Sequence, residues 1–214
     1  MVLDSQRSRA DRFLIPITNL FIKWKPDRVS LLSLTLAAFA GIFIYLGASY
    51  RLLLLAAFLC VVFSSLFDAI DGKLARVKNI SSPRGDLIDH VFDRFADVFM
   101  ILGFIFGMYA QYAIGILALV GVMLTSYMGV QSQALGLKRN YSGLLGRADR
   151  LVLIMVFILV EFIIPFSVHL WIFRITPVAI LLIWFAIAGN GMINSTRMNT
   201  IMRTSRSALP RSPE

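Results

Sequence analysis

The chain carries little charge, a single cysteine and two histidines. Asp, Glu, Lys and Arg make up 15% of its 214 residues, hydrophobic residues 58%, and mean hydropathy is +0.77. That balance excludes an ordinary soluble globular domain. A single cysteine, Cys60, rules out a disulfide framework, and within its apolar run it reads as a small buried residue. The first 25 residues lack an uninterrupted apolar core, so no cleavable signal peptide is read there. Acids are scarcer than bases, 12 against 21, for a net charge of +9. In a soluble chain that excess would suggest nucleic acid. In a membrane chain it reflects loops facing anionic lipid, and no nucleic-acid partner is expected.

What is present is a series of long apolar runs. The sequence predicts an all-α integral membrane protein of one domain, residues 1–214: an interfacial amphipathic helix at 3–23, a six-helix bundle at 29–203 and a basic tail at 204–214. The six spans are expected at 29–49, 52–78, 84–109, 112–135, 149–170 and 175–203, with Asp27 or Ser30 capping the first and Pro165 ending or kinking the fifth. Nineteen of the 21 Lys and Arg residues fall on one side of this arrangement, leaving Arg51 and Arg174 on the other. By the positive-inside rule both termini are cytoplasmic, in a multi-pass protein of the cell membrane.

The few acids are concentrated. Six of the 12 lie between Asp68 and Asp97, beside apolar sequence where lone charges are costly. Asp68 and Asp71 are three apart, Asp89 and Asp93 four apart, so each pair shares a helix face. The two pairs flank the turn from Asn79 to Gly85, at the cytoplasmic edge. Converging carboxylates repel one another unless cations compensate. Oxygen ligands favour Mg²⁺, Mn²⁺ or Ca²⁺ over zinc, and two such ions can hold a diphosphate. Gly72, Ala75 and Gly85 leave room for a bulky ligand near the backbone, and Arg76 offers a fixed charge to phosphates. Together these point to metal-assisted phosphoryl chemistry at a membrane surface. A cation transporter using the same acids is the competing class. The acids sit at one edge only, with Glu161 alone near the far side, and no internal repeat is visible.

The stretch resembles the signature D-x2-D-G-x2-A-R-x8-G-x3-D-x3-D of the CDP-alcohol phosphatidyltransferase family, with Asp68, Asp71, Gly72, Ala75, Arg76, Gly85, Asp89 and Asp93 filling its fixed positions. The resemblance implies transfer of a phosphatidyl-type group from a CDP-lipid to an alcohol, with release of CMP, in phospholipid biosynthesis. It implies Asp68, Asp71 and Asp89 as ligands of two Mg²⁺ or Mn²⁺ ions, and Asp93 as a further ligand or as the general base on the acceptor hydroxyl. It further implies Asp68, Asp71, Gly72, Ala75, Arg76 and Gly85 as the CDP-lipid site, and makes a homodimer plausible.

The acceptor is sought in the basic loop. Arg147 and Arg150 lie one helical turn apart and could grip one phosphate, with Lys138 and Arg197 as further candidates. The string Gly146 to Arg150, with Ser126-Tyr127, resembles the branch that makes phosphatidylinositol phosphate and its archaeal ether-lipid counterpart, whose acceptor is inositol 1-phosphate. Gly129 and Gln131 stand where bacterial members of that branch have basic residues. The expected donor is therefore CDP-archaeol, or CDP-diacylglycerol, with glycerol 3-phosphate, serine or free inositol as alternative acceptors. His90 is expected on a different helix face from Asp89 and Asp93, His169 at the opposite surface, and Asp97 beside Arg94. Gly103 and Gly107 form a G-x-x-x-G step that suits helix packing or a dimer face.

Overall fold

A computed structural model describes residues 16–78, 80, 82–134, 147–165, 168–170 and 173–187. Its helices are α1 (Pro26–Gly47), α2 (Leu53–Val77), α3 (Pro83–Phe106), α4 (Tyr112–Ala134), α5 (Arg147–Ile163) and α6 (Pro177–Ile187). Two three-residue strands, β1 (Val168–Leu170) and β2 (Phe173–Ile175), pair antiparallel between α5 and α6. Three of these helices are long and apolar enough to cross a membrane, α1, α2 and, over Tyr112–Gln131, α4. Helix α3 has the length, but its first fifteen residues carry Asp86, Asp89, Asp93, Arg94 and Asp97. Helix α5 has 17 residues.

The boundaries follow local chemistry. Pro26 opens α1 with Asp27 in its first turn, where a carboxylate complements the helix dipole. Neither expected cap is used: Lys25 occupies the N-cap, and the Ser30 hydroxyl donates to the Pro26 carbonyl. Helix α3 begins more sharply, because the Ser82 side chain accepts from the Gly85 N–H at 3.1 Å and Pro83 follows it. The fifth helix stops at Ile163, short of the expected 170, since Pro165 cannot continue it. Residues 168–170 and 173–175 form the ribbon instead, with His169 opposite Arg174. Of the amphipathic segment 3–23, residues 16–20 are helical and 1–15 lie outside the described residues.

Helix α1 is the axis of the bundle, packed against both α2 and α3, while α5 packs on α2 and α4 on α3. Its contact with α2 includes a reciprocal polar clasp. The Ser33 hydroxyl donates to the Ser64 carbonyl at 2.8 Å, and the Ser64 hydroxyl to the Ser33 carbonyl at 2.9 Å. In an apolar medium such bonds tie helices where hydrophobicity cannot. Its contact with α3 is backbone on backbone. A Cβ built on Gly41 would lie 2.3 Å from the Phe99 carbonyl oxygen, and one on Gly103 would lie 2.4 Å from that of Gly41. Gly103 is therefore used for packing inside the chain, and Gly107 abuts the Tyr109 ring. Tyr109 in turn donates to the Ile44 carbonyl at 3.0 Å and meets Phe104 edge to face. An apolar core that includes Ala37, Ile44, Val61, Met100, Phe104, Ala118, Ile154 and Phe185 joins α1 to α6. At the end away from the acids, Arg51 lies over the Phe162 ring and donates to the Phe162 carbonyl, joining the α1–α2 turn to the end of α5.

Candidate active site

The close approach of α1, α2 and α3 sets the site. Helix α2 ends with Asp68, Asp71, Gly72, Ala75 and Arg76, and α3 begins with Gly85, Asp89 and Asp93, so the two acid pairs meet across the turn that joins the helices. Carboxylate oxygens of Asp68, Asp71 and Asp89 lie within 4.8 Å of one another. Beside them opens a cavity of about 580 Å³ lined by Asp71, Gly72, Ala75, Arg76, Gly85 and Asp89, among others. The sequence-predicted CDP-lipid residues are thus brought to one cleft, apart from Asp68, which stands in the neighbouring carboxylate group.

The small residues keep this cleft open. A Cβ on Gly72 would meet only Arg76 Nη2 at 3.6 Å, and one on Gly85 only Ser82 Oγ at 3.4 Å, so neither position is required by packing. Arg76 lies along its own helix, with Nε donating to the Gly72 carbonyl at 2.9 Å, which leaves the guanidinium at the cavity wall. Ser30 and Asp27 of α1 join the lining, as do Lys25, Arg84 and Asp86. Sequence reasoning did not place these five in the site. For Asp27 and Ser30 a signal existed, since an acid and a hydroxyl three apart open the first span on the same membrane side as the four aspartates.

The donor set fits a hard divalent cation. Asp71 is buried, and its Oδ2 has no hydrogen-bond partner. A buried carboxylate oxygen facing two further carboxylates is costly unless a cation shares it. A second group includes His90: one ring nitrogen and the carboxylates of Asp89 and Asp93 come within 4.8 Å of one another. The helix-face argument had set His90 apart. The length of the imidazole side chain spans the angular offset that Cβ positions alone suggest.

The basic residues are divided by the structure. Arg147, the first residue of α5, reaches across to both acid pairs, with Nη1 2.6 Å from Asp68 Oδ2 and 2.6 Å from Asp93 Oδ1. Arg150 is buried and donates from Nη2 to Asp97 Oδ2 at 2.7 Å. Asp97 was expected beside Arg94, which does stand 4.0 Å away, but Arg150 is the closer partner. Lys138 and Arg197 lie outside the described residues. Ser126 is buried, whereas Tyr127 is exposed. The far-side acid Glu161 accepts from the Val178 N–H at 3.3 Å, serving the N-terminus of α6.

The family model for CDP-alcohol phosphatidyltransferases matches residues 24–189. The chain belongs to the CDP-alcohol phosphatidyltransferase family. With helices able to span a bilayer it is an integral membrane member of that family. It is 42% identical over 112 residues to a bifunctional IPC transferase and DIPP synthase of Rubrobacter xylanophilus, a match covering 51% of this chain and 24% of that protein. The chain therefore spans about a quarter of that relative. It is 28% identical to the archaetidylinositol phosphate synthase of Pyrococcus horikoshii, over 54% of this chain and 63% of that one. Among solved structures it resembles the phosphatidylinositol phosphate synthase of Mycobacterium tuberculosis with CDP-DAG bound, at a TM-score of 0.67 and 23% identity, covering 85% of this chain and 89% of the other. The same enzyme in complex with manganese and citrate gives a TM-score of 0.70 at 22% identity, with 88% of each chain covered. At these identities the likeness shows the fold.

Proposed function

We propose that this chain transfers an archaetidyl-type group from a CDP-lipid to inositol 1-phosphate, releasing CMP, at the cytoplasmic face of the cell membrane. One observation carries the reading. Three carboxylates from two helices, Asp68, Asp71 and Asp89, converge within 4.8 Å beside a cavity that Gly72, Ala75 and Gly85 help to line, while Arg147 reaches Asp68 and Asp93 from α5. Such a site holds a diphosphate on one side and a phosphorylated acceptor on the other.

In this reading Asp68, Asp71, Asp89 and Asp93 hold two divalent ions, Mg²⁺ or Mn²⁺. When bound, these would neutralise charge developing on the diphosphate. Gly72, Ala75 and Gly85 admit the nucleotide close to the backbone, and Arg76 meets its phosphates. Asp93, buried near the middle of α3, takes the proton of the acceptor hydroxyl. The hydroxyl oxygen bonds to the β-phosphorus, the bond from that phosphorus to the bridging oxygen breaks, and CMP leaves with the electron pair. Arg147 meets the acceptor phosphate, with Arg150 behind it and Lys138 and Arg197 completing the basic rim. The names of the similar archaetidylinositol and phosphatidylinositol phosphate synthases support an inositol phosphate head group. Six spans with both termini cytoplasmic follow from the distribution of Lys and Arg, and a homodimer is part of the same reading.

The test is CMP release from CDP-archaeol and CDP-diacylglycerol, offered with inositol 1-phosphate, glycerol 3-phosphate, serine or free inositol. Metal-dependent release with inositol 1-phosphate alone is expected. Release with serine or free inositol at equal rates would sink the acceptor assignment. Ion flux without CMP release would return the chain to the transporter class.

A further inference from the structure

Behind the four carboxylates lies a second charged layer that the signature does not include. Asp97 stands one turn along α3 from Asp93, and Arg150 stands one turn along α5 from Arg147. The pair Asp97–Arg150 is closed at 2.7 Å, with side chains 2% and 4% exposed, and Asp93–Arg147 is closed at 2.6 Å. The two contacts are rungs of one ladder, spaced about 6 Å along α3 and about 4.5 Å along α5 by the rise of an α-helix. They require α3 and α5 to run in the same direction from the same membrane face. Helix α5 packs chiefly on α2, so the ladder is its polar tie to α3.

A buried ion pair is an inefficient way to hold two helices together, because desolvation offsets most of the attraction. Apolar residues of the same volume generally serve as well or better. What an ion pair adds is direction. Apolar contacts let a helix rotate or slide by a fraction of a turn at little cost, whereas a guanidinium bonded to one carboxylate oxygen fixes both rotation and depth. We propose that Asp97 is a positioning residue: by holding Arg150 in a buried pair, it sets the rotation and depth of α5 so that Arg147 stands over Asp68 and Asp93. The assignment of Arg147 to the acceptor side rests on the function proposed above.

The experiment compares wild type with Asp97→Asn and with the paired substitution Asp97→Leu/Arg150→Met, each as full-length protein in lipid nanodiscs. The paired variant removes both charges together, so no charge is left buried alone, as the Arg150 guanidinium is in Asp97→Asn. Expected is a rise of tenfold or more in the KM for inositol 1-phosphate, with the KM for the CDP-lipid and the affinity for Mn²⁺ both within about twofold. Partial recovery in Asp97→Glu is also expected, because a carboxylate is restored. A paired variant with wild-type acceptor KM would overturn the proposal, as would equal losses for donor, acceptor and metal, which mean general loosening. Wild type inactive with every acceptor refutes the function and leaves positioning to be read by structure. In that case an Arg147–Asp93 contact that survives in the paired variant overturns the inference, and its loss supports it.

Discussion

Replacing Gly103 by alanine tests how tightly the site depends on packing far from it. The added Cβ would sit 2.4 Å from the Gly41 carbonyl oxygen and 3.0 Å from the Gly41 Cα. Non-bonded carbon atoms are most stable at about 3.5 Å or more, so α1 and α3 must separate locally by roughly 1 Å. Ile44 Cβ lies 3.0 Å away as well, and none of these three atoms can turn aside, since two are backbone and a Cβ is fixed by the backbone. Overpacking of this kind costs about 1–3 kcal/mol, which lowers Tm by roughly 2–12 °C for a chain of this size. The same displacement moves Asp27 and Ser30 on α1 relative to Asp89 and Asp93 on α3, and a 1 Å error in a reacting constellation can cost about a hundredfold in rate. The assay is thermal unfolding of the purified protein together with CMP release. Gly72→Ala is the control, because its Cβ meets nothing closer than 3.6 Å. It should retain Tm and weaken only the use of the CDP donor. Unchanged Tm and unchanged CMP release in Gly103→Ala would refute the claim that α1 and α3 are in obligatory backbone contact.

Other outcomes follow from the site itself. Asp93→Asn should lower kcat by about 10²–10⁴ with the donor KM little changed, as expected for loss of a general base; retained kcat sinks that role. Asn at Asp68, Asp71 or Asp89 should weaken Mn²⁺ binding, read by electron paramagnetic resonance of the free ion, and chelation should abolish CMP release in wild type. Arg147→Ala should raise the acceptor KM more than the donor KM, and Arg147→Lys should recover part of it, because lysine restores the charge without the fork. Ser64→Ala removes the Ser64 hydroxyl's bond to the Ser33 carbonyl and its contact with the Ser33 hydroxyl, and should cost about 0.5–1.7 kcal/mol in thermal unfolding.

Much of this protein is written locally. The long apolar runs predict the helices to within a few residues at most of their ends, because the cost of unpaired backbone in lipid leaves little else for them to become. The fifth helix departs from expectation at Pro165 for an equally local reason, and Ser82-Pro83 marks the start of α3 by capping. The aspartate pairs declare themselves by spacing and by their expense in apolar surroundings. What spacing cannot state is who stands opposite whom. That Gly41 meets Gly103, and that Asp27, Ser30 and Lys25 line the cleft, depends on how α1 lies across α2 and α3. The division of labour between two arginines one turn apart was likewise hidden. As a string, Arg147 and Arg150 are alike; in the fold one reaches Asp68 and Asp93 while the other is buried on Asp97. The carboxylates and their reaction class belong to the sequence, since charge and chemical type are carried by the residue itself. The partners of those charges belong to the tertiary structure, because an ion pair is a distance between helices and no periodicity along one helix can encode it.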